Sequence, residues 1–148
     1  MRVRLARAED AAAIEALYRL LVVGDDNIHV EEERLAELEQ NATNRLFVLE
    51  SGNQLGGTAF LTICLDAMYG SMPYGVVENI IVLPSLRRTG AGRVLMNAVE
   101  REARAARCTK LMLLSTATRT EAHAFFLRLG FDGEKKRGFV KYLNRTPP

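Results

Sequence analysis

Charge of one sign is not in excess in this sequence: over 148 residues the formal net charge is +2, and the arginines are spread along the chain rather than grouped in a run. That excludes an extended electrostatic footprint for nucleic acid, so any basic site must be local. Cysteine is scarce, with only Cys64 and Cys108, and their spacing is not C-x-x-C. They read as buried free thiols rather than as a disulfide or metal framework. His29 and His123 are too far apart in the chain to complete a ligand set with them, so no metal is expected. Long apolar runs are missing as well. Arg2, Arg4 and Arg7 are followed by no continuous apolar stretch, and no run approaches the roughly 20 residues of a membrane span. A cytoplasmic protein is the expectation.

What is present is a globular composition, 48% hydrophobic and 26% charged, of a size that one domain with one core accommodates. Residues 1–148 are therefore read as a single domain without repeats or linkers. A strand is expected over Arg2–Ala6, and Glu9 and Asp10 suit the positive end of a helix running to about Leu21. Ile14, Leu17 and Leu21 form its buried stripe, with Tyr18 close by. Gly24, Asp25, Asp26 and Asn27 are turn formers before a second helix over Val30–Gln40. Strands over Arg45–Glu50 and Leu55–Leu65 flank a polar connection of hairpin length, and Tyr74–Leu83, dense in Val and Ile, is the central strand. A long amphipathic helix then reaches about Arg107. A strand over Lys110–Thr116 and a helix over Glu121–Leu129, capped by Gly130, come next. Phe131–Leu143 is expected to hold a turn and a last strand, and Asn144–Pro148 a flexible tail. The order predicts an α/β fold with a mixed sheet.

Between the central strand and the long helix lies Arg87-Arg88-Thr89-Gly90-Ala91-Gly92-Arg93. Glycines let backbone approach an anion, first-turn amides of a helix have no intrahelical partners, and Arg87, Arg88 and Arg93 add full charges. A pyrophosphate is the ligand this suits. A P-loop would need Lys-Ser or Lys-Thr after the glycines, and a dinucleotide loop a glycine where Leu95 stands; neither pattern is met. The plain alternative is a glycine-rich turn with solvated arginines.

Val77–Ala106 resembles the acetyl-CoA-binding segment of the GCN5-related N-acetyltransferases, whose pattern is met at Arg87, Gly90 and Gly92. Ala122–Phe131 is similar to the later helix of that family and its Gly-Phe ending. The resemblance implies a mostly antiparallel sheet flanked by helices, with central strands that splay. It also implies acetyl-CoA as cosubstrate, its pantetheine arm hydrogen-bonded to main-chain groups of Ile80, Ile81 and Val82 with Ser115 near the mouth, and its pyrophosphate on amides from Arg88 to Arg93. Relatives often dimerise, so a homodimer is expected.

Transfer of an acetyl group needs a positioned amine and a way to remove its proton. Glu78 lies on a strand otherwise rich in Val and Ile; period two places it on one face with Ile80 and Val82, and turns Asn79 the other way. A half-buried Glu suits a general base, and some relatives use the matching Glu in that role. A Glu paired with an arginine or turned to solvent is the alternative. Many relatives carry a tyrosine that protonates the departing thiolate; here Phe126 stands at that position and is expected to pack against the cofactor. Tyr74, Tyr142, Ser115 or water can replace it. His123 is a candidate for cofactor or substrate contact, or a surface histidine without a role. Asp25, Asp26 and His29 fall where relatives shape the acceptor site, and the two aspartates equally suit a solvated turn. The resulting expectation is an N-acetyltransferase acting on a primary amine of a small molecule, such as an amino sugar phosphate or aminoalkylphosphonate. A protein lysine or N-terminal amine is a second acceptor class, and a non-catalytic acyl-CoA sensor a third reading.

Overall fold

A computed structural model describes residues 1–143, so the tail expected over Asn144–Pro148 lies outside the described residues. The chain groups into two compact units, one ending at Leu113 and one beginning at Leu114. The first unit holds β1 (Arg2–Leu5), α1 (Ala11–Leu21), α2 (Glu32–Glu39), β2 (Asn44–Ser51), β3 (Gln54–Cys64), β4 (Tyr74–Val82), α3 (Ala91–Ala105) and β5 (Leu111–Leu113). Its five-stranded sheet runs in the order β1-β2-β3-β4-β5. Neighbours are antiparallel except β4 and β5, which are parallel.

Alternation along the strands divides the core between the two faces of the sheet. On one face Leu46 and Val48 form a cluster with Ala6, Ala11, Ile14 and Leu35, and Tyr18, Leu38 and Phe60 pack against it. This face is covered by α1 and α2. The opposite face carries Phe47, Ala59, Leu61 and Val77, all buried. There α3 contacts β2, β3 and β4 and buries Leu95, Met96 and Val99 at helical spacing.

The strands β4 and β5 pair only from Gly75↔Leu111 to Val77↔Leu113. From Glu78 to Val82 the edge of β4 that faces β5 has no strand beside it among the described residues. Short pairing followed by a free edge is the splay that the resemblance implies.

A β-bulge interrupts β4. Phe60 pairs with Glu78 and Thr58 with Ile81, so one residue of β3 stands opposite two of β4. The extra residue is Asn79, in the left-handed region at φ 51, which asparagine tolerates better than most residues. Close by, a Cβ on Gly57 would lie 2.6 Å from the carbonyl oxygen of Ile81, so only glycine lets the two backbones approach here.

The second unit contains α4 (Thr120–Arg128). Its end has Schellman geometry: Phe131 N–H donates to the Phe126 carbonyl at 3.1 Å and Gly130 N–H to Leu127 at 3.0 Å. The Phe126 and Phe131 rings meet edge-on at 6.0 Å, which supplies the usual apolar closure. The last strand expected within Phe131–Leu143 is not formed: the described residues after α4 carry no regular element, and Phe139 and Leu143 are exposed. The apolar letters near its end propose a strand, but a strand needs a hydrogen-bonding neighbour, and among the described residues none is paired. The strand expected over Lys110–Thr116 is likewise confined to Leu111–Leu113, where β4 still lies alongside.

Candidate acetyl-CoA site

The loop after β4 is built by a short chain of turns. Leu83 N–H donates to Gly56 at 2.8 Å, Pro84–Leu86 form one 3-10 turn, and Arg87 N–H returns to Pro84 at 3.2 Å. Arg88 at φ 62 and Gly90 at φ 92 then swing the backbone into α3, and the Thr89 hydroxyl donates to the Leu86 carbonyl at 2.7 Å. The helix starts at Ala91 with Gly90 as its N-cap, so Gly92 belongs to the first turn rather than to the loop ahead of it. Its first hydrogen bond is Val94 N–H to Gly90 at 3.0 Å, which leaves the amides of Ala91, Gly92 and Arg93 without intrahelical acceptors. Among the described residues, Arg87, Arg88 and Arg93 take part in no ion pair. Free amides, the helix dipole and unspent guanidinium charge converge on one exposed turn, a combination that holds bridged phosphates.

The loop joins directly to the free edge of β4. Because Leu83 turns its N–H to β3, period two also turns the main-chain groups of Ile81 to β3 and those of Ile80 and Val82 outward. The Ile81 side chain is buried, while Ile80 and Val82 are half-buried.

The bulge changes the side-chain phase. Glu78 faces Phe60 and Ile81 faces Thr58, so Glu78 shares its face with Ile81, not with Ile80 and Val82 as strict alternation predicts. Nor does Asn79 turn the other way: its side chain meets the hydroxyl of Tyr18 on α1. Glu78 is exposed rather than half-buried and makes no ion pair among the described residues. Tyr74 begins the same strand. Lys110 Nζ sits 5.3 Å from the centre of its ring, and the neighbouring Cys64 raises its pKa, with some help from burial.

The loop between α1 and α2 is tied back to α1 by Glu15. One carboxylate oxygen accepts Val30 N–H at 3.0 Å and faces His29 Nδ1 at 3.3 Å, while the other accepts from Arg19. These contacts, the Val30 amide first, hold Glu15 below the usual carboxylate range. Asp25 Oδ1 accepts Asn27 N–H at 3.0 Å, an Asx turn, and Asp26 and His29 are exposed. Asp25 thus has a structural task of its own. In the second unit, His123 Nε2 lies 2.9 Å from the Thr116 carbonyl, which fixes Nε2 as the protonated nitrogen. Phe126 is buried beside Phe125, at 5.4 Å, and Phe131. The Oγ of Ser115 is buried and has no hydrogen-bond partner among the described residues. Cys64 and Cys108 are free and half-buried, and no group of three or more potential ligands among the described residues is placed to hold a metal.

A groove of about 610 Å³ opens elsewhere in the first unit, between α1 and the β2–β3 turn. Neither Glu78 nor any residue of 87–93 lines it. Its Arg4 is paired with both Asp10 and Glu50, so it offers few unspent charges to a ligand.

The family model for acetyltransferases of the GNAT type matches residues 8–131. The chain belongs to the GNAT acetyltransferase family. It is thus an N-acetyltransferase of a family that uses acetyl-CoA. Among solved structures, this GNAT protein is similar to one from Agrobacterium tumefaciens described as an acetyltransferase, at 25% identity and TM-score 0.85, covering 96% of this chain and 100% of the other. Glucosamine-6-phosphate N-acetyltransferase of Arabidopsis thaliana shares the fold at 19% identity and TM-score 0.80, with 97% and 98% covered. So does AAC(6')-Iy, solved with a bisubstrate analogue built on CoA, at 23% identity and TM-score 0.78, with 96% and 97% covered. A comparison with curated protein sequences finds no match. No helix among the described residues of the GNAT chain is long and apolar enough to cross a membrane.

Proposed function

We propose that this acetyltransferase binds acetyl-CoA along the free edge of β4 and at the N-terminus of α3, and acetylates a primary amine of a small molecule. The observation that carries the reading is the unspent charge of Arg87, Arg88 and Arg93 and the free amides of Ala91, Gly92 and Arg93, continuous with the outward main-chain groups of Ile80 and Val82. Bound there, the cosubstrate supplies an acetyl group activated as a thioester. The chain's own residues do the rest. Arg87, Arg88 and Arg93 hold phosphate charge, and the edge of β4 aligns the pantetheine amides as a further strand would be aligned. Ser115 Oγ, in the second unit, is buried without a partner among the described residues and has a hydrogen bond left to make.

Glu78, on the face covered by α1 and α2, takes the proton that the amine must lose, directly or through a water. Its exposure leaves room for a polar acceptor beside it. Phe126 has no proton to give, so the departing thiolate, with a pKa near 8.5 when free, leaves with water or Tyr74 as donor. A small acceptor is favoured by analogy with the glucosamine-6-phosphate enzyme and AAC(6')-Iy, whose structures share this fold.

The test separates binding from chemistry. Calorimetry with acetyl-CoA and with CoA is expected to give heats that weaken about tenfold or more for Arg87→Gln or Arg88→Gln. Salt should weaken them further. Turnover is then measured with a panel of amino sugars, aminoalkylphosphonates, aminoglycosides and a lysine peptide. Glu78→Gln is expected to lower kcat by about 100-fold or more while acetyl-CoA affinity is kept. Tight binding without turnover of any amine would sink the transfer reading, and turnover of the lysine peptide alone would replace the small acceptor with a protein.

A further inference from the structure

The bulge in β4 is held by side chains that the proposed chemistry does not use. Thr58 is 0% exposed, and its Oγ1 donates to the main-chain carbonyl of Asn79 at 2.8 Å. Tyr18, reaching from α1, brings its hydroxyl close to the side chains of Asn79 and Thr58. A hydroxyl has one proton to give. That of Thr58 is given to the carbonyl of the left-handed Asn79.

Its position gives it a consequence. Residues 75 to 77 pair with β5 on one edge of β4, and Leu83 is anchored to Gly56 on the other. Between them an extra residue must be absorbed, and where it sits decides whether Ile80 and Val82, or Ile81, present their main-chain groups outward. A regular strand through this stretch would reverse the assignment. Gly57 lets the Ile81 carbonyl come close from the β3 side, and the bond from Thr58, with Tyr18 beside it, holds the bulge at Asn79.

We infer that Thr58 and Tyr18 are positioning residues for acetyl-CoA: they lock Asn79 in the bulge that turns the main-chain groups of Ile80 and Val82 to the free edge of β4. The inference rests on the reading of that edge as the cosubstrate site. Neither residue touches the reacting atoms; both act through the backbone.

Thr58→Val keeps the shape of the side chain and removes its proton, Thr58→Ser keeps the proton, and Tyr18→Phe removes only the hydroxyl. Calorimetry with acetyl-CoA, steady-state kinetics, thermal melting and residue-resolved amide exchange are measured on each full-length variant. Thr58→Val is expected to weaken acetyl-CoA binding about tenfold, to raise the KM for acetyl-CoA more than it lowers kcat, and to speed exchange at Ile80–Val82. Thr58→Ser should restore binding to within about threefold of the parent, with Tyr18→Phe between the two. A lower melting temperature in Thr58→Val with unchanged acetyl-CoA affinity would overturn the inference, leaving a packing role alone. Should the parent protein fail to bind acetyl-CoA, the reading of the edge falls. The lock is then judged by amide exchange, and unchanged exchange at Ile80–Val82 in Thr58→Val and Tyr18→Phe overturns it too.

Discussion

At the scale of single residues, Arg4 shows how a charge placed near a core is made tolerable. Its guanidinium bonds both Asp10 oxygens, at 2.7 and 2.9 Å, and also Glu50. Asp10 also accepts Arg7 N–H at 2.8 Å. The bond from Arg4 is the main cause holding the carboxyl groups of Asp10 and Glu50 below their usual range, and the Arg4 guanidinium is pushed up in turn, chiefly by Asp10. A carboxyl whose pKa is depressed on folding contributes stability above its unfolded value, and loses it as pH falls through the folded one. Stability is therefore expected to fall on acidification below about pH 4. Arg4→Met, which leaves Asp10 buried without its partner, should cost about 3 kcal/mol in urea unfolding at pH 7. The gap to the parent should narrow at pH 3, where Asp10 takes up a proton; an equal gap at both pH values would show that packing of the Arg4 stem dominates.

At the scale of elements, α3 and α4 end by the same device on different residues. The turn closing α4 uses Gly130 at φ 91, whereas the one closing α3 uses Arg107 at φ 62. Cys108 N–H to Ala103 and Arg107 N–H to Arg104, both at 2.9 Å, complete the α3 cap. A non-glycine residue in that conformation carries a cost that glycine avoids. Arg107→Gly is expected to stabilise the chain by about 0.5–1 kcal/mol, read as a raised melting temperature, with acetyl-CoA affinity unchanged because the substitution lies at the other end of α3 from the loop. The central strand obeys the same logic in reverse. It accepts a left-handed Asn79 because the Thr58 hydroxyl supplies a compensating bond to its carbonyl.

For the whole molecule, the sheet and α3 form the body on which the proposed site is mounted. Leu49, Leu61, Val77, Leu95 and Val99 are fully buried, while Phe139, Val140 and Leu143 stand exposed in a stretch without regular hydrogen bonding. Amide exchange should accordingly be slowest in β2, β3 and the middle of α3, and fast over residues 132–143. Protection of that stretch comparable with β3 would mean that it pairs as a strand in solution.

Much of this was readable from local letters. Ile14 and Leu17 on α1, the Val and Ile content of β4, the Gly-x-Gly loop before α3 and the glycine after α4 each state a period or a turn that neighbours within a few residues enforce. The family likeness rests on the same letters. The phase of Glu78 was not readable, because an extra residue in β4 is detectable only against the register of β3. The partner of the Asn79 carbonyl likewise is Thr58, 21 positions away. Pattern along a chain determines which elements form, since each is held by near neighbours. Which main-chain groups a strand shows to a ligand is decided by its pairing with distant strands, and only the folded molecule contains that pairing.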